Sequence, residues 1–287
     1  MITVYNKNVN GFEAAIRGMR NPLESWRQSD SLFSIQRDDD GLNILHDVRD
    51  KWMVYNGYGT LEDCETATDA IEWHSEAEQI EEWLWDNSIL NVDADDAYSI
   101  RYYMGPTDLK VAQNLIRAGA DESKFMRQIT INFDITAPLY WWKEMDTYKV
   151  GTVANSTSTM HKLTSRPIKN FDFSFDLYFY SNSILEHGNY KYDYEVREMF
   201  DQIIQNCEWL RQKYVETKDN YYWRALIQLL PESYNQTRTW TANYAVLRNI
   251  YFARRNHKLS EWREFCKVIE TLPYAKELIC LEEKKDK

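Results

Sequence analysis

From Leu230 to Arg254 the chain reads LPESYNQTRTWTANYAVLRNIYFAR. Pro231 closes a helix that starts at Tyr221, Glu232 to Gln236 makes a polar turn, and a long helix is predicted to begin near Thr241. On that helix Asn243, Leu247, Ile250 and Arg254 fall at i, i+4, i+7 and i+11, within one narrow stripe. An arginine that extends an apolar stripe needs an anion or a carboxylate once it is buried. A snorkelling or salt-bridged arginine fits the same spacing.

Outward from this stretch the pattern stays regular. Downstream, Ser260 caps a last helix carrying Trp262, Phe265, Cys266 and Ile269, which ends at Pro273. Upstream, Val196, Phe200, Ile203, Cys207, Leu210 and Tyr214 keep helical spacing over about six turns. Ile129, Ile131, Phe133 and Ile135 alternate with Gln128, Thr130, Asn132 and Asp134, the signature of a half-buried strand that Ala137-Pro138 breaks. Leu139 to Tyr148 reads as helix, and Phe171 to Phe179 as a second alternating strand. Before these, Thr107 is the expected N-cap of a helix with a Leu109, Ala112, Leu115 and Ile116 stripe that stops at Gly119. A short strand to Tyr5 and a helix from Phe12 to Met19 open the chain, with Asn21-Pro22 as the stop. Leu61 to Asn87 is helical and acidic; a solvated helical face explains its carboxylates better than a metal site does.

The composition narrows the function. In 287 residues, 34 Lys and Arg stand against 45 Asp and Glu, a net charge of -11. A protein that wraps a nucleic-acid backbone needs the opposite surplus, so no nucleic-acid polymer is expected as partner. A small anion held by one local cluster is compatible with it. No apolar run approaches the roughly 18 residues of a membrane span, and the mean hydropathy is -0.64. The N-terminus lacks a basic n-region and an apolar h-region, so a cytoplasmic protein without membrane association is expected. Cys64, Cys207, Cys266 and Cys280 form no CxxC pair and suit a reducing compartment. There is no HExxH, no GxGxxG and no GxxxxGK[ST], so a zinc protease and a Rossmann or P-loop phosphate site have no support, and no metal is expected. Lys149-Val150-Gly151-Thr152-Val153-Ala154-Asn155-Ser156-Thr157-Ser158-Thr159 reads as a polar loop of small residues beside one lysine, suited to hydrogen-bonding a ligand.

The order Leu230-Pro231, Thr237 to Asn243, Leu247, Asn249, Arg254 and Trp262 resembles flavin-dependent thymidylate synthases, whose pattern is Leu-Pro, Thr, Asn-x-x-x-Leu, then Asn two residues on and Arg five further. Leu115 to Gly119, Ser123, Phe125, the strand Ile129 to Ile135 and Pro138 resemble the same family's upstream order. The resemblance covers residues 107–163 and 193–273, and AAIRGMRNP, APLYWWKEMDTYKVGTVANS and NHKLSEWREFCKVIETLPY are similar to phage and prophage relatives of the family. The family's RHRxxSxNExSxRY signature falls on Lys149 to Ser158 in degenerate form. Thr147-Tyr148-Lys149 stands where RHR would, Met160-His161 replaces Arg-Tyr, and Phe125-Met126-Arg127 replaces Phe-Glu-His.

The resemblance implies an α+β fold, a central and mostly antiparallel sheet packed with long helices. It implies one such domain over 1–287, with an acidic insertion at 28–98 and a frayed tail at 282–287. It also implies FAD as cofactor and a pyrimidine nucleotide, dUMP or a relative, as small-molecule substrate. NADPH and methylenetetrahydrofolate follow if the family reaction is retained. Arg254 is the expected catalytic residue, stabilising charge on the pyrimidine or its phosphate. Lys149, Thr152 and Ser158 join it in substrate binding, and Ser123, Arg127, Asn243 and Asn249 are placed at the flavin. A homotetramer is implied, and no cysteine attacks the base. Three readings stay open: an enzyme; a non-catalytic, repurposed relative that binds nucleotide or flavin, or serves as a phage regulatory or host-interaction protein; and a structural protein that kept only the fold.

Overall fold

The structure, a computed structural model, describes residues 2–31, 36–38, 49–50, 52–54, 57–86, 90–92, 98–100, 103–176 and 190–282. The chain divides into two compact units. One takes Met1–Lys7, Asn132–Thr241 and Leu259–Glu261; the other takes Asn8–Ile131, Ala242–Lys258 and Trp262–Lys287.

In chain order the strands are β1 (Thr3–Asn10), β2 (Gln36–Asp38), β3 (Leu90–Val92), β4 (Tyr98–Ile100), β5 (Thr130–Pro138), β6 (Val153–Ser156) and β7 (Asn235–Asn243). The helices are α1 (Phe12–Arg20), α2 (Ala67–Asp86), α3 (Pro106–Ala118), α4 (Leu139–Met145), α5 (Thr159–Lys162), α6 (Tyr190–Thr217), α7 (Asn220–Leu229), α8 (Tyr244–Arg254) and α9 (Ser260–Glu270). A 3-10 turn, Ser123–Arg127, precedes β5, and a π-helical turn, Ala275–Ile279, follows α9. This is an α+β architecture, with a four-stranded sheet in the order β1-β5-β7-β6 and a small antiparallel sheet in the order β2-β4-β3.

The first unit is organised by the sheet. Along β5, Phe133, Ile135 and Ala137 are buried, while Asn132, Asp134 and Thr136 stay half-exposed on the other face. On that polar face Thr136 pairs with Thr237 (2.7 Å), the Thr239 hydroxyl donates to Asp134 (2.6 Å), and the Thr241 hydroxyl donates to Asn132 (2.6 Å). The partner numbers fall on β7 as they rise on β5, so the two strands run antiparallel. On the buried face Phe133 stacks with Trp240, their centroids 6.2 Å apart. Elsewhere in this unit α6 and α7 pack against each other, and Leu163, Ile168, Phe173, Phe200, Ile204, Cys207 and Leu226 close a core.

The second unit packs α1, α3, α8 and the two short turns. Gly11 precedes α1 at φ +95°, and a Cβ there would lie 2.1 Å from the Gln128 carbonyl oxygen, so only glycine fits. Arg20 and Asp108 form a buried ion pair between α1 and α3. Hydroxyls of Ser29 and Ser31 satisfy the second Asp108 oxygen (both 2.5 Å). Removing either charge leaves the other stranded at a cost of about 3–5 kcal/mol.

Three sequence expectations are corrected. The expected turn after Pro231 is present, closed by Tyr234 N donating to the Pro231 carbonyl at 3.0 Å, but it is shorter than expected, and the start of the expected long helix is strand: β7 runs from Asn235 to Asn243, and the helix begins at Tyr244. The N-cap position of α3 is Gly105, with Pro106 first in the helix. A carboxylate from far away, Asp30, caps it by accepting from Thr107 N (2.8 Å) and Asp108 N (3.1 Å). The expected strand at Phe171 starts as a 3-10 turn, Asn170–Asp172, with a single bridge from Phe173 to Tyr234. Its remainder, Leu177 to Phe179, lies outside the described residues, as does the tail beyond Glu282.

Candidate functional site

The second unit carries five of the eight residues singled out for chemistry: Ser123, Arg127, Asn243, Asn249 and Arg254. Asn243 ends β7 and caps α8, its Oδ1 accepting from Val246 N at 3.0 Å. Asparagine suits this position because its side chain satisfies a helix N–H that has no intrahelical partner. The cap uses only the oxygen, so both amide protons of Asn243 are free to reach a ligand. Leu247 and Ile250 turn inward with no exposure, while Asn249 faces outward.

Arg254 is the last residue of α8, where a cation meets the negative end of the helix. Its guanidinium lies 4.7 Å over the ring of the fully buried Trp262. Trp262 is itself held edge-on by Phe265 and His257, each at 6.3 Å. The Arg254 head group thus rests on a rigid platform.

The Ser123–Arg127 turn packs against α8 and α1. Phe125 and Met126 bury its centre, leaving Ser123 half-exposed and Arg127 exposed at its two ends. The Tyr244 amide donates to the Ile129 carbonyl at 3.0 Å, fixing the start of α8 to the residues after this turn. The four residues expected at the flavin therefore lie on, or at the cap of, two packed elements. Around them burial pushes the Cys266 thiol up to about 12 and Cys280 to about 11, so both are protonated and poor nucleophiles at neutral pH. Burial, with the Glu270 carboxylate accepting at 2.8 Å, also raises Tyr251.

Lys149, Thr152 and Ser158 belong to the first unit. The expected loop is an edge strand: β6 pairs antiparallel with β7, Val153 opposite Thr241 and Ser156 opposite Arg238. The Thr152 hydroxyl donates to the Tyr148 carbonyl at 2.6 Å, which leaves it no proton for an anion. Ser158 caps α5 by accepting from His161 N at 3.2 Å and keeps its own O–H to donate. Lys149 is exposed. Of the three, Lys149 and Ser158 retain the chemistry of anion binding.

Arg238 was not expected as a candidate. It is half-buried on β7, 4.3 Å over the Trp142 ring, and it donates to Asp146 (2.7 Å) and Gln236 (2.9 Å). A lone basic residue in a polar run gives no signal of such a seat. The polar sheet face was legible as the outer half of the β5 alternation. Hydrogen bonds from Thr239, then Asn6, hold its Asp134 below the ordinary carboxylate range. Among the described residues no group of three His, Cys, Asp or Glu is arranged to hold a metal, and no helix is long and apolar enough to cross a membrane.

Neither a protein-family model nor a curated protein matches the sequence. Solved structures do match the fold. One, flavin-dependent thymidylate synthase ThyX from Helicobacter pylori complexed with FAD and dUMP, aligns at a TM-score of 0.50 with 14% identity, over 97% of this chain and 99% of that one. Another ThyX structure from the same organism, with FAD and dUMP at 2.31 Å resolution, aligns at 0.50 with 13% identity over 97% of both. The chain has the flavin-dependent thymidylate synthase fold.

Proposed function

We propose that the protein is a flavin-dependent, thymidylate synthase-like enzyme acting on a pyrimidine deoxynucleotide, by dUMP methylation or a related change to the base. The observation that carries this reading is the packing of the Ser123–Arg127 turn on the helix that Asn243 caps and that bears Asn249 and Arg254. The donor set fits FAD: the Arg127 guanidinium, the amide protons of Asn243 and Asn249, and the Ser123 hydroxyl suit flavin carbonyls and a diphosphate. A bound flavin supplies a hydride to the base. Arg254, held on Trp262, stabilises negative charge on the pyrimidine or its phosphate. Lys149 attracts the phosphate as a point charge and Ser158 donates to it. Thr152 shapes the turn before β6. NADPH and methylenetetrahydrofolate belong to this reading only with the complete family reaction. A homotetramer and an acidic insertion at 28–98 complete it; sedimentation of the purified protein tests the first.

A second reading, a relative that binds nucleotide or flavin without catalysis, is favoured by one feature. Where the family signature has RHR, this chain has Thr147-Tyr148-Lys149, followed by an edge strand. Each lost charge-assisted hydrogen bond weakens phosphate binding by roughly 1.5–3 kcal/mol.

The test is a visible spectrum of the purified protein, followed by titration with FAD and dUMP. Flavin bands, with dUMP turnover on adding reductant and folate, support the enzyme; binding without turnover supports the second reading. A protein that takes up neither ligand overturns both.

A further inference from the structure

We propose that a groove of about 700 Å³ between Ile168–Phe171 and α6 is a separate binding site for a small planar aromatic anion, of which a nucleoside monophosphate is the simplest example. The groove lies wholly within the first unit, as do all the groups named for it. Its volume is that of a small-molecule site.

The floor is apolar: Ile168 and Ile204 both line the groove and are buried. Its walls are two aromatic rings left in solvent, Phe171 from the 3-10 turn at 68% exposed and Trp209 from α6 at 51%. The exposure of Phe171 is built in. Arg166 clamps Asp172 with two hydrogen bonds (2.9 and 2.5 Å), and Lys169 N donates to the same carboxylate at 2.9 Å. The turn so fixed sends Phe173 into the core at 1% exposed and Phe171 outward. Trp209 is steadied edge-on by Tyr222 of α7, 5.9 Å away. Rigid exposed rings over an apolar floor present π-faces for a flat ring to stack on.

Charge selects an anion. Lys169 and Arg166 both lie over the Phe171 ring, at 5.9 and 5.8 Å from its centroid. The one carboxylate lining the groove, Glu208, is held by Arg211 through two bonds of 2.7 Å, by Gln212 at 3.0 Å and by Ile168 N at 2.8 Å. Burial pushes Glu208 up, but these donors outweigh it and its carboxyl sits below the ordinary range, ionised and neutralised. With Glu208 neutralised, the exposed Lys169 ammonium above Phe171 meets a phosphate at the rim, and the exposed Gln205 amide lines the groove where it can bond the edge of a stacked ring.

Calorimetric titration of the full chain with AMP, adenosine and ribose 5-phosphate tests the site. AMP is expected to bind more tightly than either fragment. Phe171→Ala and Trp209→Ala, both at exposed positions that the fold tolerates, are each expected to weaken AMP about tenfold. Lys169→Gln should weaken AMP and leave adenosine unchanged, and Arg254→Ala should change none of these. The site is overturned if AMP does not bind at millimolar concentration, or if neither aromatic variant weakens it. Loss of AMP binding on Arg254→Ala alone assigns that binding to the proposed catalytic site and equally overturns this one. Failure of FAD or dUMP to bind leaves these outcomes unaffected, so the two readings fail separately.

Discussion

The α8 region and the Lys149–Ser158 segment, both assigned to ligands by the same resemblance, are built in opposite ways. In α8 the candidate side chains stand on buried neighbours: Leu247 and Ile250 anchor the helix, Trp262 carries Arg254, and the cap at Asn243 leaves its amide protons free. In the segment around β6 the four strand residues are exposed, and the flanking hydroxyls of Thr152 and Ser158 bond the main chain. A site on a packed helix keeps its geometry when surface residues drift. A site made of loop backbone and hydroxyls loses a donor wherever the main chain claims it, as the Tyr148 carbonyl claims the Thr152 proton.

The largest test of this contrast is stability. Leu247→Ala removes a fully buried side chain and should cost about 2–5 kcal/mol in denaturant unfolding. Val153→Ala, at a position 68% exposed, should stay within about 0.5 kcal/mol. Similar losses at both positions would break the contrast. Next comes binding: Arg254→Ala should weaken dUMP by tenfold or more, since a charge-assisted bond contributes roughly 1.5–3 kcal/mol, while FAD uptake holds. Equal loss of both ligands would contradict the role given to Arg254.

The interior beneath α8 also predicts a pH dependence. Cys266, its sulfur 4.0 Å from the Tyr251 carbonyl, has its thiol raised by burial from an ordinary 9.0 to about 12. A raised thiol favours folding fully below the unfolded value, and that stability is lost as pH climbs from 9 towards 12. At pH 10 the loss is about 1.4 kcal/mol, and Cys266→Ala should remove that part of the alkaline decline. A decline unchanged in the variant would place its origin elsewhere.

Asn243→Ala should cost about 1 kcal/mol through the lost cap. Asn243→Asp keeps the cap and removes the two amide protons, so it should leave unfolding nearly unchanged while weakening FAD. If FAD binding is untouched, Asn243 is a cap and nothing more.

These contrasts explain what the sequence made legible. Apolar stripes on α1, α3, α6 and α8 and the alternation of β5 announce themselves because one face of each is buried against the core. β7 is hidden because its buried face carries Gln236 and Arg238 beside Trp240 and Ala242. Gln236 donates to the Thr157 carbonyl at 2.9 Å and Arg238 lies on Trp142, so tertiary partners replace the apolar residues that a pattern search needs. β6 is hidden for another reason: an exposed edge strand of four residues, Val-Ala-Asn-Ser, has no buried face to write a period. At the site the same division holds. Arg254 was legible as the end of an apolar stripe on a helix, and Asn249 only through the family pattern. Trp262 as a seat for Arg254, and the loss of the Thr152 proton to Tyr148, depend on contacts between distant or folded-back segments.

The smallest expected effect separates two hydroxyls that look alike in sequence. Thr152→Val keeps the shape of the side chain and removes a bond to the Tyr148 carbonyl, a loss of about 0.5–1.5 kcal/mol at most. Its proton already faces the main chain, so dUMP affinity should not change. Ser158→Gly retains most of the capping preference, at a cost of a few tenths of a kcal/mol, yet deletes an O–H that is free to donate. Ser158→Gly should therefore weaken dUMP several-fold with almost no change in unfolding. Nucleotide affinity that follows Thr152 instead would mean that its hydroxyl leaves Tyr148 on binding.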